Sequence, residues 1–180
     1  AATNKPVRRR TIKQLQYHIA RRIKRLFHVE TNRTLRIEAH ISLIGAQAMD
    51  DIHRTAEEQA RLLNHGYVGT EHLLAALIGM DESDFADVHT LNTLGLTPDS
   101  VTANIVEIVG EGGRSSQGEL AQTPRFQLVM RLAGEHTMPP NATDAQRVFR
   151  AILIEGEGMA AQIIVKVTRL NLSDIKVMLR

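Results

Sequence analysis

The order of helix-forming segments occurs twice in this chain, once on each side of a polar, glycine-rich linker at residues 111–122. Val129 lies 77 positions after Ile52, and Ala133 lies 77 positions after Ala56. Self-similarity at a nearly fixed period is typical of duplicated structural units. The sequence therefore predicts an all-α fold built from a tandem pair of four-helix repeats.

Helix start and stop signals support this interpretation. Thr97 precedes Pro98, as a cap precedes a first helical residue, and Gly110 ends the same segment. Thr143-x-x-Gln146 has the form of a capping box. Thr70 is predicted to cap the segment that begins GTEHLLAAL, with Glu71 as its first helical residue. Near the ends of the third helices, Leu94-Gly95-Leu96 and Leu170-Asn171-Leu172 predict left-handed residues at Gly95 and Asn171.

The first forty residues differ from the remainder in charge. They hold 11 Lys and Arg against 2 Asp and Glu, a local charge of +9, so the remainder holds 11 against 18, a local charge of −7. Apolar spacing predicts a helix over residues 11–28, and alternation predicts a strand over 34–43. The domains predicted from these shifts are a basic N-terminal extension (1–40), repeat 1 (41–110), a linker (111–122) and repeat 2 (123–180).

The basic extension has three interpretations that the sequence leaves open. Its apolar stripe packs on the body of the same chain, its stripe docks on a partner protein, or its cations bind nucleic acid or anionic lipid. Aromatic side chains that could stack on bases are few there, since Tyr17 and Phe27 are the two present. The candidate binding residues of this basic arm are Arg8, Arg9, Arg10, Arg21, Arg22, Lys24 and Arg25.

The motifs of common enzyme and metal sites are absent from the sequence. There is no cysteine, no phosphate-binding loop, no His-Glu-x-x-His and no Gly-x-Ser-x-Gly. His65 and His72 are seven residues apart, which is not a zinc-ligand spacing, so we interpret Thr70-Glu71-His72 as a helix start and His72 as a half-buried packing residue. The sequence predicts no catalysis, no cofactor and no metal. No apolar run approaches the roughly 20 residues that a membrane-spanning helix needs.

Several motifs in residues 45–180 resemble the Clp N-terminal domain, the double repeat that precedes the ATPase rings of ClpA and ClpC unfoldases and that also occurs by itself. The first half carries NHGYVGTEHLL at residues 64–74, followed by Leu94-Gly95-Leu96. The second half carries Thr123-Pro124-Arg125 and EGEGMAA at residues 155–161. The resemblance implies an all-helical, pseudo-twofold domain that docks substrates or adaptor proteins and has no catalysis of its own.

The resemblance also implies candidate peptide-binding residues. In some ClpC-type proteins, paired pockets bind phosphorylated arginine through a threonine at the start of a repeat's first helix and the glutamate of GTEH. Here these positions are predicted to hold Ala46 and Glu71 in repeat 1, and Thr123 and Gln146 in repeat 2. Neither predicted pair is complete, so phospho-arginine binding is not predicted. The candidate peptide-binding residues are Thr70, Glu71, Thr123, Arg125 and Gln146.

The predicted function is that of a non-catalytic protein-binding module, which docks substrates or adaptors for an ATP-dependent Clp protease or unfoldase. Its expected partners are Clp ATPase or peptidase subunits and adaptor or substrate polypeptides. Two alternatives are a nucleic-acid-binding regulator that uses the basic arm, and an N-terminal fragment of a complete Clp ATPase. The expected compartment is the cytoplasm, or an organelle stroma or matrix if the non-Met start reflects processing.

Overall fold

A computed structural model describes residues 48–113, 118–135, 139 and 141–179. These residues belong to one compact unit, Gly45–Arg180. The predicted helix at 11–28, the predicted strand at 34–43 and the whole basic arm lie outside the described residues. No helix among the described residues is both long enough and apolar enough to cross a bilayer.

The described chain is mostly helical, as predicted. Helix α1 covers residues 48–62, and seven further helices and two short strands follow. In chain order they are β1 (Tyr67–Val68), α2 (Thr70–Ile78), α3 (Val88–Thr93), α4 (Pro98–Val109), β2 (Ala121–Gln122), α5 (Pro124–Ala133), α6 (Asp144–Glu155), α7 (Met159–Thr168) and α8 (Leu172–Met178).

Helix α2 lies at the centre of the core. All nine of its residues are buried, and it packs against α3, α4, α5, α6 and α7. A helix that is apolar on every side is stable only where other helices surround it. Helix α1 packs on this core through Ile52, Ala56 and Ala60, which are buried at helical spacing.

Most predicted helix ends are confirmed by hydrogen bonds. The Thr97 and Thr143 hydroxyls accept hydrogen bonds from the amides of Ser100 and Gln146, three residues later. Gly95 has a φ of +90°, the left-handed conformation predicted for it. These signals are local, since each one depends on residues within about one turn of the helix end.

The left-handed conformation predicted for Asn171 is wrong. Asn171 has a φ of −78° and caps α8, because its side-chain oxygen accepts a hydrogen bond from the amide of Asp174 at 2.9 Å. The left-handed residue is Arg169, with a φ of 57°. Asparagine suits both positions, and the free amides of the next helix decide between them.

The end of the predicted linker is ordered as strand β2. Ala121 and Gln122 pair in parallel with Tyr67 and Val68 of β1, and the neighbouring Leu120 is buried. Both strands lead directly into helices, α2 and α5. Because parallel strands end at the same edge, this short ladder places the N-termini of α2 and α5 side by side.

Candidate functional site

A cleft of about 490 Å³ opens where the first turns of α2, α5 and α7 converge. We call it the Glu71 cleft. Its polar lining comes from Thr70 and Glu71 of α2, Thr123 and Arg125 at the start of α5, and Glu157 before α7. Four of the five candidate peptide-binding residues predicted from the sequence thus lie around one cleft.

Gln146 is not part of this cleft. Its side chain accepts a hydrogen bond from the Thr143 amide at 3.1 Å and donates one to Asp87 at 3.1 Å. Counted from the N-caps, Glu71 is the second residue after Gly69, and Ala145 is the second residue after Thr143. Gln146, the third residue after Thr143, has the same place in α6 as His72 has in α2.

Thr123 and Glu71 come from different halves of the chain and line the same cleft. The pairs predicted from the resemblance each lay within one repeat, and neither pair was complete. The β1–β2 ladder explains the difference, because it brings the start of α5 next to the start of α2. The Thr123 hydroxyl accepts a hydrogen bond from the Phe126 amide at 3.2 Å, which fixes its orientation.

Thr70 is the first residue of α2 rather than its cap. Gly69 is the N-cap, because its carbonyl accepts hydrogen bonds from the amides of His72 and Leu73. The Thr70 hydroxyl instead accepts a hydrogen bond from the Ala160 amide at 3.2 Å, 90 residues away. Thr70 therefore caps α7, and this bond holds α2 and α7 together at the floor of the cleft.

Replacing Thr70 by valine removes this bond and keeps the shape of the side chain. The buried Ala160 amide then has no acceptor, so we expect the free energy of unfolding to fall by about 1–3 kcal/mol. Urea titration measures the change. The control is Thr102→Val on the exposed face of α4, which we expect to change stability by no more than about 0.5 kcal/mol. Equal effects of the two substitutions would contradict the capping role of Thr70.

Glu71 is a buried carboxylate without a cationic partner among the described residues. Its side chain is 5% exposed. Burial raises the pKa of Glu71, although a hydrogen bond from its own backbone amide acts in the opposite direction. Burial and the charge of Glu71 also raise the pKa of Tyr67 in the wall of the cleft. A carboxylate held this way is stabilised by any cation that enters the cleft.

Gly69 provides the space that Glu71 occupies. A Cβ atom built on Gly69 would lie 2.6 Å from Cδ of Glu71, so the carboxyl group folds back over the N-cap. Position 69 therefore accepts no residue with a side chain unless the carboxylate moves. The pair Gly69 and Glu71 acts as one feature of the cleft.

The other charged groups at the cleft pair with one another rather than with Glu71. Arg125 donates hydrogen bonds to Glu155 and to Glu157, the latter at 2.9 Å. Glu155 is almost fully buried and accepts hydrogen bonds from the amides of Gly158 at 2.7 Å and Glu157 at 3.3 Å. Arg125 and Glu155 thus brace the start of α7, and Arg125 leaves the charge of Glu71 uncompensated.

Behind the cleft, the imidazole rings of His65 and His72 form a buried series of hydrogen bonds, which we call the ring chain. The Gly69 amide donates to Nδ1 of His72 at 2.9 Å, and Nε2 of His72 lies 2.8 Å from Nδ1 of His65. Nε2 of His65 lies 2.8 Å from the carbonyl oxygen of Gly110. One arrangement satisfies every bond: both rings are neutral and carry their proton on Nε2.

These contacts give His72 a structural role. It is fully buried, rather than half-buried as predicted. Ligand atoms of His65, Glu71 and His72 lie within 4.8 Å of one another, so the fold brings together side chains that their spacing did not suggest as a metal site. All four ring nitrogens already have hydrogen-bond partners, and the two facing nitrogens are closer than two ligands of one zinc ion. The ring chain accounts for these residues without a metal.

The ring chain predicts a loss of stability in acid. Burial lowers the pKa of His72 from 6.5 to about 3. Below about pH 6.5, His72 is therefore protonated in the unfolded chain, whereas in the folded chain it stays neutral down to about pH 3. In this window His72 lowers the free energy of unfolding by up to about 1.4 kcal/mol per pH unit. The raised pKa of Glu71 acts in the opposite direction, because protonation of that carboxylate favours the fold.

NMR of the imidazole nitrogens separates the two contributions. We expect His72 to remain neutral, with its proton on Nε2, down to the pH at which the protein unfolds. The exposed His89 provides an internal reference signal in the same spectra. Protonation of His72 in the folded protein near pH 6 would contradict the arrangement of the ring chain.

Comparison with known proteins identifies the family to which this helical fold belongs. Residues 47–167 match the Clp repeat (R) N-terminal domain, and the chain belongs to this family. Three relatives are similar over 111 residues, or 61% of this chain. They are the chloroplastic chaperone protein ClpC of Pisum sativum (32% identical), the ClpA homolog of an ATP-dependent Clp protease from Cyanidium caldarium (30%), and the chloroplastic ClpA homolog of Brassica napus (32%). The matched region spans 12–13% of the length of these relatives.

Proposed function

We propose that this chain is a non-catalytic polypeptide-docking module, which presents substrates or adaptor proteins to an ATP-dependent Clp protease or unfoldase. The observation that carries the proposal is the Glu71 cleft, whose buried carboxylate has no cationic partner among the described residues. A lysine or arginine side chain of a polypeptide supplies that cation. The family supports a Clp-type partner, because its relatives are named as Clp chaperones and ATP-binding subunits.

The lining of the cleft suits an extended polypeptide. Tyr67, Pro124 and Met159 add apolar surface beside Glu71, and the cleft is open to solvent. Apolar walls with a few placed polar groups are typical of binding sites. In our proposal the aliphatic part of the cationic side chain packs on these walls while its charged end reaches Glu71.

We also propose that the two halves of the chain are copies of one four-helix unit, with the domain boundaries given above. Three features that lie 74 positions apart support this. The N-caps Gly69 and Thr143 correspond, the left-handed residues Gly95 and Arg169 correspond, and the caps Thr97 and Asn171 correspond. The docking role is the same whether the chain acts alone or as the N-terminal part of a longer Clp ATPase.

A capture experiment tests the docking role. The full chain is immobilised and exposed to native lysate, and the bound proteins are identified. We expect Clp ATPase or peptidase subunits and unfolded polypeptides, and we expect Glu71→Gln to lose the polypeptides. The matched control is the exposed Glu119→Gln, which should retain them. Capture of neither class of protein by the unaltered chain would contradict the proposal.

A variant without residues 1–40 addresses the basic arm in the same experiment. If the arm binds nucleic acid, its deletion removes the nucleic acid from the captured material, and added salt has the same effect. If the docking role belongs to the body of the chain, the polypeptides remain bound after the deletion. The two outcomes assign each partner to one part of the sequence.

A further inference from the structure

A second cleft, of about 370 Å³, lies at the start of α6. Its walls are apolar and come from Ala48 and Ile52 of α1, Met80 after α2, and Ala145 of α6. Ala145 follows its N-cap by two residues, as Glu71 follows Gly69. The second cleft therefore has a methyl group where the Glu71 cleft has a carboxylate.

The N-cap residue explains why a glutamate could not take the same conformation here. The Glu71 carboxyl group occupies the space that a Cβ atom on Gly69 would fill. At the start of α6 the N-cap is Thr143, which has a Cβ atom and whose hydroxyl accepts the Gln146 amide. Threonine caps α6 well, but it closes the space for an inward-folded acid. The two clefts thus differ through the pairs Gly69–Glu71 and Thr143–Ala145.

The rim of the second cleft is acidic. Asp51, Asp84 and Asp144 line it, and no lysine or arginine does among the described residues. Asp51 forms an ion pair with Arg54 at 3.0 Å. Burial raises the pKa of Asp144, although the charge of Arg147 acts in the opposite direction. Asp84 lies in the segment 80–87, which contains four acidic residues and no basic one. The field at the rim is therefore negative, and Asp84 has no ion-pair partner among the described residues.

The acidic segment is anchored to α6 on its inner side. Phe85 is fully buried, and its ring lies 5.7 Å from that of Phe149. Asp87 accepts a hydrogen bond from Gln146 at 3.1 Å. These contacts fix the rim relative to the apolar walls, so the second cleft is a formed site before any ligand arrives. Gln146, a candidate peptide-binding residue in the sequence, thus helps to hold the acidic segment against α6.

We propose that the second cleft binds an apolar side chain of a polypeptide whose neighbouring residue is lysine or arginine. The apolar side chain is removed from water against Ile52, Met80 and Ala145, while the basic neighbour meets the rim at Asp84. This inference rests on the proposed docking function and extends it, because the two clefts then bind side chains of different chemistry. Burial of the apolar side chain provides most of the affinity, since ion pairs at an exposed rim contribute little.

Four short peptides on one glycine–serine template test the proposal with the full chain. Their central pairs are Leu-Lys, Ser-Lys, Leu-Ser and Leu-Glu. Methyl and amide NMR signals of Ile52, Met80 and Ala145 report binding at the second cleft, and those of Gly69 and Glu71 report binding at the Glu71 cleft. At the second cleft we expect Leu-Lys to bind at least about tenfold more tightly than Ser-Lys or Leu-Glu, and Leu-Ser to lie between them.

Two substitutions provide independent tests. Ala48→Phe places a ring at the exposed edge of the second cleft and should abolish the peptide-induced shifts of Ile52, Met80 and Ala145. Ala103→Phe, on the exposed face of α4, should leave them unchanged. Asp84→Asn should weaken Leu-Lys about threefold and leave Leu-Ser unchanged. Circular dichroism shows whether each variant is folded. If Ala48→Phe does not fold, Asp84→Asn still provides the test, because Asp84 lies at an exposed position.

The outcomes distinguish the second cleft from the proposed function. Leu-Lys binding that is lost in Glu71→Gln but survives Ala48→Phe would overturn the second site and leave the docking function intact. No binding of any peptide at either cleft would overturn both. Shifts of Ile52 and Met80 that depend on protein concentration, with no peptide present, would assign the cleft to a second copy of the chain and would also overturn the inference.

Discussion

Replacing Glu71 by glutamine is expected to strengthen the fold and to weaken polypeptide binding. In the free protein the carboxylate is buried without a cation among the described residues, and burial raises its pKa. At pH 7 the glutamine keeps the shape of the side chain and avoids the burial of a charge, so the free energy of unfolding should rise. The same change removes the charge that the ligand needs, so affinity for a cationic peptide should fall about 10- to 100-fold.

Opposite effects on stability and binding distinguish a binding residue from a structural one. Urea titration at pH 7 measures stability, and isothermal titration with an arginine peptide measures affinity. Gly69→Ala offers a matched comparison, because its Cβ atom displaces the carboxylate without changing any charge. That variant should lose both stability and affinity. A Glu71→Gln protein that is less stable and binds normally would show that Glu71 holds the fold together rather than a ligand.

Replacing His72 by phenylalanine is expected to cause the largest loss of stability among these substitutions. The ring would leave the Gly69 amide without an acceptor and Nδ1 of His65 without a donor. Two buried polar groups without partners cost about 1–3 kcal/mol each, so we expect the free energy of unfolding to fall by about 2–5 kcal/mol. The exposed His89→Phe is the control and should change it by no more than about 0.5 kcal/mol.

A conservative substitution refines this prediction. Gln146 is the third residue after its N-cap and accepts a hydrogen bond from the Thr143 amide, as His72 accepts one from Gly69. His72→Gln should therefore keep the capping bond and lose the bond to His65. We expect its stability to lie between those of the unaltered protein and His72→Phe. Equal losses in the two variants would show that the capping bond contributes nothing.

The sequence predicts those parts of the fold that depend on local hydrogen bonds. The caps at Thr97 and Thr143 and the left-handed Gly95 involve neighbours within one turn, and these predictions are confirmed. Thr70 was assigned as a cap on the same grounds, and this was wrong because its acceptor site serves Ala160, 90 residues away. A residue type shows that a hydrogen bond will form, but not which distant helix end will use it.

The candidate site was predictable in composition but not in arrangement. The resemblance to the Clp N-terminal domain selected Glu71, Thr123 and Arg125, which the structure brings together at one cleft. Their grouping depends on the β1–β2 ladder, and strands of two residues carry no periodic signal in a sequence. The hydrogen bond between His65 and His72 was not predicted either, because it depends on the conformation of the turn after α1, which places the two rings together. The capping role of Gln146 was predicted from Thr143-x-x-Gln146 and is confirmed, whereas its hydrogen bond to Asp87, 59 residues away, has no local signal in the sequence.

Amide chemical shifts of the isotopically labelled full chain, titrated with matched peptides, test whether Glu71 binds cationic side chains. One peptide carries a single arginine, and the other carries citrulline, which has nearly the same shape and no charge. We expect the arginine peptide to shift the signals of Gly69, Glu71 and Thr123. The citrulline peptide should not shift them, and neither peptide should shift them in the Glu71→Gln variant. Equal binding of the two peptides, or shifts confined to residues away from these three, would contradict a cleft that recognises cationic side chains through Glu71.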